Sequence, residues 1–366
     1  MHVAQAEGAW RTEDPNKLTD FYRGIKAYRS HPYRRTMPER PTVWQRGSSR
    51  LSDYGPKEGW PLLVVPSLIN RAYIVDLMPD ASLLAFLSQG GIRPLLMDWG
   101  EPDLQDRQMS LDRYIVERLE PAVDWLLRET GRKPLVLGYC MGGTLAAALA
   151  ARKMADLAGL ALLAAPWDFW EGQRDFCNGQ LRSDDFKAGS NIFSRLSSLT
   201  GSASVDQLQT LFAAIDLMAV PRKFARFARL DPTSAEAERF VAIEDWLNDG
   251  VPLGADLAMT CMLDWYADNA PALGQWTVAG RAVLPETIDL PAFLAIPARD
   301  RIVPAQSALA LAAALPRAKI IRPASGHIGM VTGRRARPEL FQPLLAWLQH
   351  VTAMQTEIVA MQKKSW

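Results

Sequence analysis

The chain has 366 residues, 48% of them hydrophobic and 22% charged, and 41 Lys and Arg against 40 Asp and Glu leave a net charge of +1. This composition excludes a disordered tail protein and a strongly basic nucleic-acid binder. The three cysteines, Cys140, Cys177 and Cys261, are too few and too far apart for a disulfide framework or a zinc-ligand spacing, so no metal is expected and a reducing, cytoplasmic setting is.

At the N-terminus no apolar signal core occurs, and nowhere do about 18 uncharged apolar residues run together, so neither secretion nor a membrane span is expected. Residues 1–50 carry 10 basic and 5 acidic side chains and residues 317–366 carry 8 and 2, around an acidic middle. Without a compact basic cluster, these ends read first as solvated faces. The functional alternative is a surface that meets an anionic lipid, a polymer or the phosphates of a nucleotide-like ligand.

In chain order, residues 1–40 form an N-terminal segment with no assigned element. The runs 61–65 (PLLVV), 92–97 (IRPLLM), 134–139 (PLVLGY) and 158–163 (AGLALL) are short, continuous and bounded by Gly, Pro or Asp. That is the pattern of strands buried on both faces of a parallel sheet. Helical patterns separate them at 81–90, 111–129 and 142–153. After Pro166 the alternation stops, and it returns with a strand at 291–296, a helix over 304–315, a strand near 317–322 and a helix over 337–349. The intervening stretch is mostly helical, with candidate segments at 208–219, 235–249 and 257–269. The prediction is an α/β fold with a core at 41–166 and 288–366 and a helical cap inserted at 167–287. Aromatic and methionine residues in that cap suit either a greasy channel or an ordinary helical core.

Gly138-Tyr139-Cys140-Met141-Gly142-Gly143 joins the strand at 134–139 to the alanine-rich helix and has the form of a nucleophile elbow, with Cys140 at its apex. Glycines flank the apex because the turn from strand to helix leaves no room for bulk. The helix start and the Met141 N–H point toward the thiol, where they can stabilise a thiolate and a developing oxyanion. Of the four histidines, His2 and His31 precede the sheet and His350 ends a helix. His327, in Gly326-His327-Ile328-Gly329, follows a late strand, where an enzyme of this topology delivers its base. Asp300 follows the strand before it, so the order is nucleophile, acid, base, which is the order of α/β hydrolases. The turn after the first core strand, Pro66-Ser67-Leu68-Ile69-Asn70, should supply the second oxyanion donor, the Leu68 backbone.

Further segments carry a family resemblance: Leu68-Ile69-Asn70-Arg71-Ala72-Tyr73-Ile74-Val75-Asp76-Leu77, Met97-Asp98-Trp99-Gly100-Glu101-Pro102-Asp103 and Leu111-Asp112-Arg113-Tyr114-Ile115, followed by GYCMGG. Downstream lie Ala165-Pro166-Trp167-Asp168-Phe169, Glu244-Asp245-Trp246 with Asp249, Trp265-Tyr266 with Asn269, and Asp300-Arg301-Ile302-Val303-Pro304. In order and spacing these resemble polyhydroxyalkanoate synthases over roughly residues 41–349, and the length is similar to the short catalytic subunit of the two-subunit (class III) type.

The resemblance implies transfer of 3-hydroxyacyl groups from coenzyme A thioesters to a growing polyester, through an acyl group on Cys140 and with His327 as base. In that family the counterpart of Asp300 is taken to help activate the 3-hydroxyl. No cofactor is implied beyond the coenzyme A substrate. A second synthase subunit, a homo-oligomer and a position on polyester granules are implied as partners and place. The chain departs from the pattern at Arg301, where His is usual, at Ala72, and through residues 171–205, which match poorly. Asn70, Asp98 and Trp99 are not carried over as catalytic. A cysteine hydrolase acting on thioesters, lactones or polyester is the alternative, since GYCMGG with a later Asp and His is similar to dienelactone hydrolases. An inactive granule scaffold is the third reading.

Overall fold

The computed structural model describes residues 15–171, 202–204 and 219–364. Cys177 and all but the last residue of the predicted helix at 208–219 lie outside them.

Continuous apolar runs fold into the central strands, buried on both faces, while more polar segments form the edges of the sheet. The strands are β1 (Thr42–Arg46), β2 (Ser49–Asp53), β3 (Trp60–Val65), β4 (Ile92–Asp98), β5 (Leu135–Tyr139), β6 (Gly159–Leu163), β7 (Ala292–Ala295) and β8 (Ala318–Ile321). They form one eight-stranded sheet in the order β1-β2-β4-β3-β5-β6-β7-β8. β1 and β2 pair antiparallel, β2 runs antiparallel to β4, and all other pairs are parallel. Along β3 the side chains alternate: Leu63 and Val65 enter the core on one face, Leu62 and Val64 the core on the other. Each such burial contributes about 1.5–3 kcal/mol.

Strand order reverses between β3 and β5, the point at which α/β sheets open a crevice at their carboxyl ends. The register pairs Val65 with Gly138, Tyr139 with Leu163, Leu163 with Ala295, and Ala295 with Ile321. The segments that follow, bearing Leu68, Cys140, Asp300 and His327, therefore leave the sheet at one edge.

The main helices are α1 (Pro15–Ser30), α2 (Leu83–Gln89), α3 (residues 111–130, with a π turn over Ile115–Leu119), α4 (Met141–Lys153), α5 (Ala219–Phe227), α6 (Ala235–Asn248), α7 (Ala255–Thr260), α8 (Ala305–Ala314) and α9 (Gln342–Lys364). Ser82 caps α2 by accepting from the Ala85 N–H, and Gly131 ends α3 at φ +63°. The hairpin β1–β2 and helix α1 have no counterpart in the periodicity reading. β1 is an exposed edge strand with little apolar content, and α1 buries only part of one face. The last helix runs to Lys364, well beyond the expected 349.

α1 does not stand apart. Phe21 and Tyr28 lie against Phe224 of α5, with ring centroids 6.4 and 5.7 Å apart, and Asp20 pairs with Arg229 at 2.7 Å. Helix α1 thus packs on α5, which lies in the chain between β6 and β7.

Candidate active site

The elbow is built by close backbone approach. A Cβ on Gly138 would lie 2.5 Å from the Gly142 carbonyl oxygen, one on Gly142 would lie 2.2 Å from Val65 O, and one on Gly143 would lie 2.4 Å from the Ala165 Cβ. Three glycines therefore let β5 turn into α4 while that helix presses on the end of β3. At the apex Cys140 takes φ +56°, a left-handed value that a non-glycine residue adopts at a cost. Two bonds hold it there: the Cys140 N–H donates to Leu163 O at 2.9 Å, and Cys140 O accepts from the Gly143 N–H at 2.8 Å. The thiol is partly exposed, at the start of the 13-residue helix α4, whose dipole favours negative charge beside it.

His327 stands next to that thiol. Its Nδ1 lies 2.7 Å from Asp300 Oδ2, and its ring also hydrogen-bonds the Cys140 side chain. Asp300 is fully buried through its side chain, and its Oδ1 accepts from the Ile302 and Val303 N–H groups at 2.8 and 2.9 Å. That turn fixes the carboxylate, and the carboxylate fixes the ring. Tyr139 packs on the imidazole at a centroid distance of 5.2 Å and its hydroxyl donates to His327 O at 3.3 Å. Burial of the ring works against its protonation, but the charges and hydrogen bonds of Cys140 and Asp300 outweigh burial and push the His327 pKa up to about 10.

The loop after β3 is braced from the segment between β6 and β7. The Trp246 Nε1–H donates to Arg71 O at 2.7 Å, the Val251 N–H donates to Ile69 O at 3.0 Å, and Asn70 bridges Gly250. Arg71 reaches Glu101 at 2.6 Å and Asp249 at 3.3 Å, and Tyr73 donates to the other Asp249 oxygen at 3.1 Å. Ser67 and Met141 line the cavity beside Cys140, while the Leu68 side chain is buried in the core.

The cavity has a volume of about 740 Å³. Cys140 and His327 lie on its wall with Tyr266, from the π turn Cys261–Ala267, and with Phe21, Phe224 and Trp246. Phe21 and Phe224 carried no signal in the sequence, because neither their spacing nor their neighbours differ from those of an ordinary amphipathic helix. Trp246 and Tyr266 sit in segments the sequence singles out, but only the fold brings them to Cys140. Arg301 lines the same cavity and is exposed.

The remaining candidates fall elsewhere. Cys261 is buried, and burial pushes its thiol up to about 12. His31 is held by Pro232 O at 2.8 Å and by the Tyr33 N–H at 3.1 Å, and His350 is exposed on α9. Asp98 is engaged by Arg50 at 2.7 Å and by the Gly100 N–H at 3.0 Å, while Trp99 stacks edge-on against Tyr114. These are structural ties. Among the described residues no cluster of His, Cys, Asp or Glu has a geometry that could hold a metal ion.

The family model of the α/β hydrolase fold matches residues 61–333. The chain is 28% identical over 322 residues to the poly(3-hydroxyalkanoate) polymerase subunit PhaC of Haloferax mediterranei, covering 83% of this chain and 62% of that protein. It is 25% identical over 292 residues to the protein of the same name from Allochromatium vinosum, covering 79% of this chain and 80% of the other. Of the Haloferax relative's length the chain thus spans about three fifths. The crystal structure of VinJ, 15% identical with a TM-score of 0.50, covers 86% of this chain and all of its own, and shares the fold.

Proposed function

This chain belongs to the α/β hydrolase fold family, and we propose that it is a polyhydroxyalkanoate synthase-like acyltransferase, moving 3-hydroxyacyl groups from coenzyme A thioesters to a growing polyester. The observation that carries this reading is a thiol, in place of a hydroxyl, on a strained elbow beside a His–Asp pair, in a chain similar to proteins named poly(3-hydroxyalkanoate) polymerase subunits.

In the proposed cycle Cys140 gives its proton to His327 and its sulfur attacks the thioester carbonyl. The N–H groups of Met141 and Leu68 hold the oxyanion. As the tetrahedral species collapses, the bond to the coenzyme A sulfur breaks and that sulfur takes the proton from His327. The 3-hydroxyl of a second acyl group then gives its proton to His327 while its oxygen attacks the acyl-Cys140 carbonyl. An ester forms, the C–S bond breaks, and the proton returns to the sulfur. Asp300 orients the ring through Nδ1 and favours its protonated form. A thioester on Cys140 keeps the activation of the incoming thioester until the hydroxyl arrives. The described residues between β6 and β7, α5 and α6 among them, act as a cap in this cycle, and with α1 they keep water from that intermediate.

Purified protein given 3-hydroxybutyryl-CoA should release coenzyme A with a matching amount of polymer. Release of free 3-hydroxybutyrate instead would support the cysteine hydrolase. Cys140→Ala should lose the acyl-enzyme, and unchanged turnover in that variant overturns the assignment. Because relatives are named as subunits, the proposal includes a second synthase subunit, and fast polymerisation by the isolated chain would contradict it. The place of action proposed is the cytoplasmic surface of a polyester granule. Among the described residues no helix is long and apolar enough to cross a membrane.

A further inference from the structure

The cavity wall contributed by α5 and α6 contains an ion pair that the proposed cycle does not use. Lys223 Nζ lies 2.7 Å from Glu244 Oε1, and both residues line the cavity that holds Cys140. Glu244 is only 5% exposed. Burial raises its carboxyl pKa, and the Lys223 charge opposes that rise. The Lys223 side chain keeps about a third of its surface open, and its ammonium lies 5.6 Å from the Phe224 ring centroid. A buried ion pair is no better for stability than apolar side chains of the same volume. Its place on a largely apolar cavity wall therefore calls for another role.

We propose that Lys223, held in place by Glu244, is a docking point for ester and hydroxyl oxygens of the acyl chain, so that the cavity selects oxygenated over plain fatty acyl groups. The inference rests on the acyl-transfer reading above and names the substrate chemistry its cavity accepts. A polyester chain offers acceptors at every repeat and a donor only at its hydroxyl end, so hydrogen-bond donors must come from the protein. An ammonium has three N–H groups, and one contact to Glu244 leaves donors for a carbonyl or hydroxyl oxygen. Glu244 balances the charge and keeps the flexible lysine from extending to solvent. The seat is rigid: the Tyr28 hydroxyl donates to Asp245 at 2.7 Å and Asn248 donates to the Tyr28 hydroxyl at 3.2 Å, which ties α1 to α6. A plain alkyl chain would leave the remaining N–H groups of the ammonium facing methylene groups, with no acceptor on the acyl chain.

Two measurements test this. The first compares coenzyme A release from 3-hydroxybutyryl-CoA and butyryl-CoA by the wild type, by Lys223→Arg and by the double variant Lys223→Met/Glu244→Met, which leaves no unpaired buried charge. The ratio of kcat/KM values, hydroxyacyl over acyl, should fall roughly tenfold in the double variant and be largely kept in Lys223→Arg. An unchanged ratio, or equal losses on both substrates, overturns the proposal. The second follows binding of a neutral 3-hydroxybutyrate trimer methyl ester by tryptophan fluorescence in a Cys140→Ala background. Affinity for the trimer should drop in the Lys223→Met/Glu244→Met protein while affinity for a long-chain alkyl methyl ester does not. Equal affinity for the trimer with and without the pair again overturns the proposal. If the wild type releases coenzyme A from neither thioester, the acyl-transfer reading fails, while the binding measurement still decides the role of Lys223.

Discussion

Cys140 is held at φ +56° by its bonds to Leu163 and Gly143, and the strain is compensated by the packing of α4 on β3. Cys140→Gly should remove that strain and raise unfolding stability by about 1 kcal/mol while abolishing acyl-enzyme formation, as urea denaturation and mass spectrometry of the intact protein would report. His327 makes a second residue-level prediction. Burial disfavours its charged form, yet Cys140 and Asp300 lift its pKa from 6.5 to about 10. A folded-state pKa above the unfolded one contributes stability that is complete below pH 6.5 and lost as pH rises through about 10. Asp300→Asn removes one of the two anions and should move the His327 titration, followed by NMR, to lower pH. An unmoved midpoint would mean that Asp300 does not act on the ring.

The turn from β5 to α4 works only while that helix can touch the end of β3. Gly142→Ala would set a methyl group 2.2 Å from Val65 O, and the backbone there cannot yield without displacing Cys140. A loss of about 3 kcal/mol or more in unfolding stability is expected, at the upper end of overpacking costs, measured by chemical denaturation. Helix α6 acts on the loop after β3. Its Trp246 bonds Arg71 O at 2.7 Å, in the loop that carries the proposed Leu68 donor. Trp246→Phe keeps an aromatic ring, though a smaller one, and loses this bond, worth about 1 kcal/mol. The expected result is a severalfold fall in kcat with KM little changed, because the loop matters most when negative charge develops. A rise in KM alone would place Trp246 in substrate binding instead.

At the scale of the whole molecule, α1 closes the cavity from outside the sheet domain, through Phe21 and Tyr28 against Phe224. If that closure excludes water, Phe21→Ser should raise the yield of free 3-hydroxy acid per coenzyme A released, scored by chromatography of products, with circular dichroism checking that the fold persists. The six parallel strands were legible beforehand because double-sided burial leaves a continuous apolar run, as in PLLVV and LVLGY, and the elbow was legible because three glycines beside one cysteine have few other uses. The order of Cys140, Asp300 and His327 followed from the same strand count. Helix α1, the β1–β2 hairpin and the cavity were not legible. α1 buries few residues and shows its partner, α5, nearly two hundred residues away in the chain, so no local period encodes the pairing. Nor does any local pattern announce that Lys223 meets Glu244 or that Trp246 reaches Arg71, since those contacts exist only after α5 and α6 have packed over the sheet edge. The sequence by itself thus determined the six parallel strands of the sheet, the elbow and the candidate side chains for the proposed chemistry, all of which depend on local hydrophobic pattern and backbone sterics. The tertiary structure alone decided which groups share a cavity with Cys140, because proximity between distant segments is set by packing and not by spacing along the chain.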